Sequence, residues 1–183
     1  MDLVLLAVGD VAPTAVWAAI DGGETYDLDW LNCPENLMAT YTFGGGIRAF
    51  FESTRKALGS ADFPSCNPRC NIDIWATKGR IWWRENGSWG YLLNNTEPQF
   101  VQPTNFGQDD ILAQRRFTQA IATWLQDDSR PHYCRYSIAK LGFNAMMSAY
   151  RSALKGQRLD TNSQLTDDEW EELRKRLIQP QRV

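Results

Sequence analysis

The stretch Asn71-Ile-Asp-Ile-Trp-Ala-Thr-Lys-Gly-Arg-Ile-Trp-Trp-Arg84 decides the fold class, because it predicts two strands joined by a tight turn. Isoleucine and alanine alternate with asparagine, aspartate and tryptophan, and a period of two places successive side chains on opposite sheet faces. Lys78-Gly79 supplies the corner, since glycine tolerates the positive φ that hairpin turns often require. Beyond it, Ile81, Trp82 and Trp83 are residue types that fit a pleated surface. The stretch therefore predicts a central β-hairpin.

The composition indicates a folded chain with one well-buried domain. The 183 residues are few for two domains, and 43% of them are hydrophobic against 22% charged. Eight tryptophans favour a sheet with one broad face buried. The net charge is −3, without the clustered lysines and arginines that a nucleic-acid partner requires. We therefore expect no nucleic-acid binding.

The first residues do not predict a secretory signal. The stretch Met1–Val8 is apolar, but it lacks a basic leader, contains Asp2 and is broken at Gly9-Asp10. No uninterrupted apolar run approaches the roughly 18 residues of a membrane span. We therefore expect a cytoplasmic chain without a membrane partner.

Short strands are expected to dominate the first half of the chain. A period of two places Leu37, Ala39, Tyr41 and Phe43 on one face of a strand. The glycines at 44–46 then turn the chain, and they predict no phosphate site because no helix follows them. The remaining elements predicted here are a helix over 2–8, a strand over 14–20, a return strand over 47–54 and a short strand over 89–93.

Helices are expected to dominate the second half. Residues 94–107 look irregular, and apolar residues then recur at helical spacing from 108 and again over 137–154. Thr166-Asp-Asp-Glu169 is a capping box that starts a last helix. Strands followed by helices predict an α+β domain: an open, predominantly antiparallel sheet with helices packed on one face. The other face is then free to meet a partner or a substrate.

The cysteines and the single histidine allow one metal interpretation. Cys66, Cys70 and Cys134 with His132 have a zinc-like spacing, but structural zinc sites usually show two spaced ligand pairs. We therefore expect ordinary reduced thiols and no metal. No carboxylate neighbours His132 in the sequence to orient it, so a structural or surface role is favoured over that of a general base.

Four short motifs occur in an order that resembles one enzyme family. Asp2-Leu3 resembles the end of a His-x-x-Asp-Leu helix, and Thr77–Ile81 resembles a Gly-Thr-x-Gly-x-Ile hairpin with alanine replacing the first glycine. Phe43–Phe51 resembles Phe-x-Asn-Gly-x-x-x-x-Phe, and Ala145–Gly156 resembles an Ala-x-Tyr-x-Ser-Ala-x-x-Gly helix end. Together they are similar to the C-terminal domain of the glucose–fructose oxidoreductase, inositol dehydrogenase and rhizopine catabolism family (Gfo/Idh/MocA).

The resemblance implies half of a two-domain NAD(P)-dependent oxidoreductase that acts on sugars or cyclitols. In that family a Rossmann domain binds the nucleotide, and the C-terminal domain contacts substrate and forms the subunit interface. Residues 1–160 would be this substrate-binding and dimerisation domain, followed by a helical tail over 161–183. The implied partners are a second copy bound through the sheet face, a Rossmann-domain subunit and a sugar-like molecule.

The chain also departs from the family pattern. It contains no Gly-x-Gly-x-x-Gly loop and no Glu-Lys-Pro motif, so we expect no Rossmann domain and no bound nucleotide. If Asp2 is the aspartate of the helix motif, the family's catalytic histidine would lie two residues before Met1. Asp2 is then the sole catalytic position carried over. NAD or NADP is implied for a full-length relative, and the isolated chain is expected to be inactive.

Five residues on or beside the predicted sheet are candidates for substrate binding. The simpler interpretation treats the charged ones as solvated and the tryptophans as packing residues. Two other functions remain open: a non-catalytic dimeric interaction module, and a sugar-binding module that stacks its ligand on tryptophan. The candidates are Arg48, Asp73, Trp75, Arg80 and Trp82.

Overall fold

The computed structural model divides the chain into two compact units. The first unit combines residues 1–56 with 134–183, and the second comprises 57–133. The second unit is therefore an insertion in the sequence of the first. The boundary expected after residue 160 stays a prediction. The structure describes residues 1–22, 34–54, 71–84, 88–103, 106–129, 132, 134–161 and 165–178.

The described ranges contain four helices and eight strands. All strand pairs are antiparallel, and they form two four-stranded sheets. The predicted α+β class is confirmed, with the strands divided between two sheets. The elements are α1 (Asp2–Val8), β1 (Ala15–Gly22), β2 (Pro34–Thr42), β3 (Arg48–Thr54), β4 (Asn71–Ala76), β5 (Gly79–Arg84), β6 (Ser88–Leu93), β7 (Gln99–Pro103), α2 (Phe106–Gln126), α3 (Tyr136–Lys155), β8 (Leu159–Asp160) and α4 (Asp167–Ile178).

Sheet A of the first unit, in the order β3-β2-β1-β8, packs one face against helices. The side chains of Leu37, Ala39 and Tyr41 lie on that face and are at most 4% exposed, as the alternation predicts. Their neighbours from α3 include Ala145 and Ala149, which are also buried. The Tyr41 hydroxyl donates to the Ala145 carbonyl at 3.3 Å, so this buried polar group has a partner.

Buried serines on α3 tie the helix to neighbouring backbone. The Ala18 amide donates to Ser152 Oγ at 3.0 Å, and Ser152 Oγ donates to the Gln157 carbonyl at 2.7 Å. Ser148 Oγ similarly donates to the Thr161 carbonyl at 3.1 Å, next to β8. The two-residue strand β8 was not predicted, because two residues carry no readable period.

Glu169 fastens the start of α4 to α3. In the predicted capping box, the Glu169 amide donates to Thr166 Oγ1 at 3.2 Å and the Thr166 amide donates to Glu169 Oε2 at 3.1 Å. Arg151 and Lys155 of α3 each place a nitrogen 3.0 Å from this carboxylate. The Thr166 amide, then Lys155 and Arg151, lower the pKa of Glu169 to about 2.

Sheet B of the second unit has the order β4-β5-β6-β7. The predicted hairpin is confirmed, but its turn lies one residue earlier than predicted: Thr77 and Lys78 form the loop, and Gly79 begins β5 opposite Ala76. The irregular stretch expected over 94–107 is wrong in part, because residues 99–103 form β7 on the edge of the sheet. Prolines 98 and 103 suggested a loop, but an edge strand tolerates proline at its ends.

Helix α2 begins at Phe106, slightly earlier than predicted, and its apolar side chains remain largely solvent-exposed. Ile111 is 65% exposed and Leu125 is 78% exposed. Among the helices of the described ranges, none has both the length and the apolar character needed to cross a bilayer.

Candidate functional site

Four of the predicted site residues meet on one face of sheet B. Trp75 lies opposite Arg80, and Asp73 lies opposite Trp82, across the β4–β5 ladder. Directly opposite residues share a sheet face, and so do residues two apart on one strand, so the four form one cluster. The same face also receives two further side chains, from β5 and β7. We call this surface the platform: Asp73, Trp75, Arg80, Trp82, Arg84 and Phe100.

The platform contains one carboxylate held by two guanidinium groups. Arg80 Nε donates to Asp73 Oδ1 at 3.0 Å, and Arg80 Nη2 contacts the same oxygen. Arg84 Nη2 donates to Asp73 Oδ2 at 2.6 Å, while its Nη1 donates to the Ile72 carbonyl at 2.9 Å. Burial alone would raise the pKa of Asp73, but the hydrogen bonds and charges of the two arginines outweigh it and lower that pKa. Asp73 is therefore an ionised anchor.

The aromatic rings of the platform are packed against the same arginine and against each other. The Arg80 guanidinium carbon lies 4.3 Å from the Trp75 ring centroid and 5.7 Å from that of Trp82. Trp82 meets Phe100 edge-on, with centroids 5.5 Å apart. Gly90 is required beneath them, because a Cβ there would collide with the Trp82 ring and with backbone at Gln99.

The outer rings of the platform are open to solvent. Trp75 is 73% exposed and Phe100 is 75% exposed, whereas the side chains of Arg80 and Asp73 are about one-third exposed. Both oxygens of Asp73 accept from arginine, so this carboxylate is poorly placed to act as a base. The arrangement can stack a ligand and donate hydrogen bonds to it.

The other candidate residues belong to other elements than the strands of the platform. Arg48 is on β3 in the first unit, exposed on the sheet A face opposite the helices. Asp2 is the first residue of α1, and its side chain lies outside the described part of the structure. The buried His132 stacks on Trp124 with centroids 6.0 Å apart and meets Phe117 edge-on, which fits the structural rather than the surface role among the two predicted for it.

The described residues provide no metal site. Within them, no three histidine, cysteine or acidic side chains gather as a metal would require. Cys134 is exposed as a thiol, while Cys66 and Cys70 of the zinc alternative lie outside the described residues. A shallow depression elsewhere, on one side of α2 around Arg115 and Thr118, gathers no chemistry-bearing cluster.

Sequence reasoning missed Arg84, Gly90 and Phe100. Arg84 ends the quoted hairpin, and its spacing from Asn71 across the turn would have placed it on the face of Asp73. The Gly90 requirement depends on the ring of Trp82, which sequence patterns do not position. Phe100 was hidden because its strand was predicted to be irregular.

The described residues do not fit a dinucleotide. A Rossmann site needs parallel strands and a glycine-rich turn leading into a helix. Every strand pair in the part of the chain that the structure covers is antiparallel, and the sequence lacks the glycine fingerprint. The described residues therefore form no dinucleotide-binding site of the Rossmann type.

Comparison with known proteins finds relatives by fold. No family model and no curated protein matches the sequence. An oxidoreductase from Agrobacterium radiobacter, in complex with NAD+, L-tartaric acid and magnesium, has a TM-score of 0.62 and 17% identity over 88% of this chain and 46% of that chain. Levoglucosan dehydrogenase, in complex with NADH and levoglucosan, has a TM-score of 0.59 and 17% identity over 88% of this chain and 48% of that one.

A third solved structure extends the same pattern. An inositol dehydrogenase homolog from Azotobacter vinelandii, complexed with NAD+, has a TM-score of 0.60 and 12% identity over 86% of this chain and 45% of that chain. The chain thus spans slightly less than half the length of these proteins. The neighbours are oxidoreductases of the Gfo/Idh/MocA type, so the resemblance inferred from the motifs is confirmed for the fold. The chain has the fold of one half of such an oxidoreductase.

Proposed function

We propose that this chain is the substrate-binding and subunit-pairing half of an NAD(P)-dependent oxidoreductase that acts on sugars or cyclitols. The observation that carries the proposal is the shared fold over 86–88% of the chain with proteins crystallised with NAD+ or NADH. One of them binds levoglucosan and another is an inositol dehydrogenase homolog, which supports a polyhydroxylated substrate.

In this proposal the chain binds and orients the substrate, while NAD or NADP accepts the hydride in the half that carries the nucleotide fold. A Rossmann-domain subunit is accordingly a proposed partner. Hydride transfer needs the nucleotide, so this chain without the nucleotide-binding half should be inactive while it retains sugar binding.

Isothermal titration of the purified chain tests this division of labour. We expect binding of myo-inositol or levoglucosan and no binding of NADH or NADPH up to millimolar concentration. A dehydrogenase that contains both halves serves as the control for both ligands. Micromolar affinity of this chain for a nucleotide would contradict the proposal.

The second part of the proposal is pairing of two copies through the open face of sheet A. The register aligns Trp17, Thr40 and Phe50 in one row on the face away from the helices. Trp17 is 46% exposed, Phe50 is 80% exposed and the adjacent Met38 is 56% exposed. Exposed apolar side chains in one row are typical of a protein contact.

Charge around Phe50 also supports a two-fold contact. Arg48 and Glu52 flank Phe50 on the same face of β3. If β3 runs antiparallel to its symmetry mate, Arg48 faces Glu52 of the partner subunit, and the reverse contact forms too. A second copy therefore complements this surface.

A charge-swap series measured by light scattering tests the pairing. Arg48→Glu should shift the chain from dimer to monomer, and Arg48→Glu with Glu52→Arg should restore the dimer. Leu125→Lys, on exposed α2, is the matched control and should leave the mass unchanged. A wild-type monomer at 100 μM would contradict the pairing.

The alternative is a non-catalytic sugar-binding or interaction module with the same fold. The platform favours it, because its exposed rings and fixed donors need no nucleotide. Adding a Rossmann-domain subunit distinguishes the two functions. Dehydrogenase activity in the mixture supports the oxidoreductase half. Sugar binding without any activity in the mixture supports the non-catalytic module.

A further inference from the structure

The strands β4, β5 and β6 present a second face, opposite the platform, that carries no charge. The register places Ile74 opposite Ile81, Trp83 opposite Trp89, and Leu93 opposite Gly79 on this face. Every charged residue of these three strands points to the platform side instead. We call this surface the apolar face: Ile72, Ile74, Ile81, Trp83, Trp89 and Leu93.

The apolar face remains open to solvent, and its size indicates what can cover it. Ile81 is 50% exposed, Leu93 is 49% exposed and Trp89 is 39% exposed. Three six-residue strands form a surface about 20 Å long and roughly 10–15 Å wide. Such a footprint is small beside the ~800 Å² that each partner of a stable dimer buries, but a single helix is about 10 Å wide and fits it. The apolar face is therefore sized for one helix.

Helix α2 of the same unit has an apolar side without a cover. Ile111 is 65% exposed and Leu125 is 78% exposed, and α2 makes no extended contact with the strands of sheet B. From Ile111 to Leu125 the helix axis rises about 21 Å, which matches the length of the strands. An isolated helix of this length is marginal in water, so α2 would gain stability by covering apolar surface.

The connection between sheet B and α2 favours closure within one chain. Two residues separate Pro103, the end of β7, from the start of α2. Pro103 pairs with Ser88, so α2 starts at the end of the sheet where Trp83 lies opposite Trp89. A helix that folds back from this point runs along the strands toward the other end of the apolar face. So short a tether gives α2 a high effective concentration at this surface.

We propose that α2 is a lid that closes on the apolar face of sheet B, and that this structure holds it in the open position. In the closed position Ile111 packs near Trp89, and Leu125 packs near Leu93 at the far end. Closing removes the apolar surface of both elements from water, and opening releases both for contact with another protein. The lid requires neither sugar, nucleotide nor subunit pairing, so its failure would leave the proposed function intact.

Hydrogen exchange of the full chain, measured by mass spectrometry, tests the lid. We expect the amides of α2 to be protected in the unmodified chain, because closing adds tertiary packing to the helix. Leu93→Lys on the sheet and Leu125→Lys on the helix should each speed the exchange of α2 about tenfold, since closing must then desolvate a charge. Peptides from α3, in the first unit, should exchange at an unchanged rate.

A charge pair tests the direction in which α2 lies. Leu93→Lys combined with Leu125→Glu should slow the exchange of α2 again, because the two charges meet in the closed position. Leu93→Lys combined with Ile111→Glu should not, because the closed lid places Ile111 at the opposite end of the apolar face.

Phe100→Lys is the matched control, because Phe100 is 75% exposed on the platform side of the same sheet. It should leave the exchange of α2 unchanged, and circular dichroism establishes that each variant is folded. Three outcomes would overturn the inference. They are an α2 that exchanges as fast as unstructured peptide in the unmodified chain, equal rates in Leu93→Lys, Leu125→Lys and Phe100→Lys, and protection that rises with protein concentration. The last would assign the apolar face to a helix of a second copy.

Discussion

The two sheets have the same number of strands and opposite relations to solvent. Every hydrophobic side chain found buried in the described ranges belongs to the first unit, where sheet A packs against α3. In the second unit, both faces of sheet B keep large side chains at least half exposed, such as Trp75 on one face and Ile81 on the other. The first unit is therefore stabilised by its core. The described residues of the second are held together by backbone ladders and surface contacts.

This difference between the two sheets indicates which residues are available to bind a ligand. A residue of sheet A that faces the helices is constrained by packing, because interiors are close-packed. A residue of the platform is constrained mainly by its immediate neighbours, Asp73 with its arginines and Trp82 with Gly90. Substitutions in the first unit should thus change stability, and those on the platform should change binding.

The largest effect is expected from Tyr41→Ala, which empties the centre of the first core. Tyr41 is 0% exposed, and truncation of a buried aromatic costs about 4 kcal/mol. Tyr41→Phe removes only the hydrogen bond to Ala145 and should cost about 1 kcal/mol. Ile81→Ala, at a half-exposed position of sheet B, should cost about 1 kcal/mol. Urea denaturation measures the free energy of unfolding of all three variants. Equal losses for Tyr41→Ala and Ile81→Ala would contradict the proposed difference between the two units.

Gly90→Ala should show that sheet B is tightly packed at this position. The added methyl group collides with Trp82 and with backbone at Gln99, so we expect a loss of about 2 kcal/mol. The near-ultraviolet circular dichroism of the tryptophans should weaken in parallel. Gly44→Ala, where a Cβ meets nothing within 4 Å, is the control and should change stability by a few tenths of a kcal/mol at most, roughly. Unchanged tryptophan signals in Gly90→Ala would contradict the close approach.

Glu169→Gln tests, through the pH dependence of stability, how much the Glu169 carboxylate stabilises the first unit. The folded pKa of Glu169 lies below its ordinary value of 4.5, at about 2. Its contribution to stability is therefore present above about pH 4.5 and is lost as pH falls toward 2. Glutamine can still complete the capping box, but it loses the charge held by Arg151 and Lys155, so at pH 7 the variant should lose about 1 kcal/mol. The difference from the unmodified chain should shrink toward pH 2. Glu172→Gln, at an exposed ion pair with Arg176, should cost at most about 0.5 kcal/mol at any pH.

The smallest effect on stability is expected from Trp75→Ala. The ring is mostly exposed, and its main contact is the stacked Arg80, so we expect a loss of about 0.5 kcal/mol. The same variant should weaken sugar binding strongly. A loss of several kcal/mol in stability would indicate that the platform is a structural surface.

Much of this arrangement could be predicted from local patterns. The alternation over Leu37–Phe43 placed the core face of β2 correctly, and the Asn71–Arg84 pattern predicted the β4–β5 hairpin. A corner at Lys78-Gly79 would have paired Asp73 with Arg84, so the register that joins Asp73 to Trp82 was not predicted. The third platform strand, β7, could not be predicted, because its pairing with β6 depends on tertiary context and its prolines resemble a loop. That Arg48 belongs to a different sheet from the other candidates could not be predicted either, since no local pattern assigns two hairpins to different sheets.

The insertion of the second unit has a consequence for synthesis on the ribosome. Strands β1–β3 are completed before residues 57–133, and helix α3, which covers them, follows that segment. At ordinary elongation rates the intervening residues take about 4–15 s to be made. Throughout that interval the nascent chain exposes the apolar face around Tyr41, and it should be a client of ribosome-associated chaperones. Once α3 has emerged, the entropy of closing so long a loop grows only logarithmically with its length, so the inserted unit could vary in size at little thermodynamic cost.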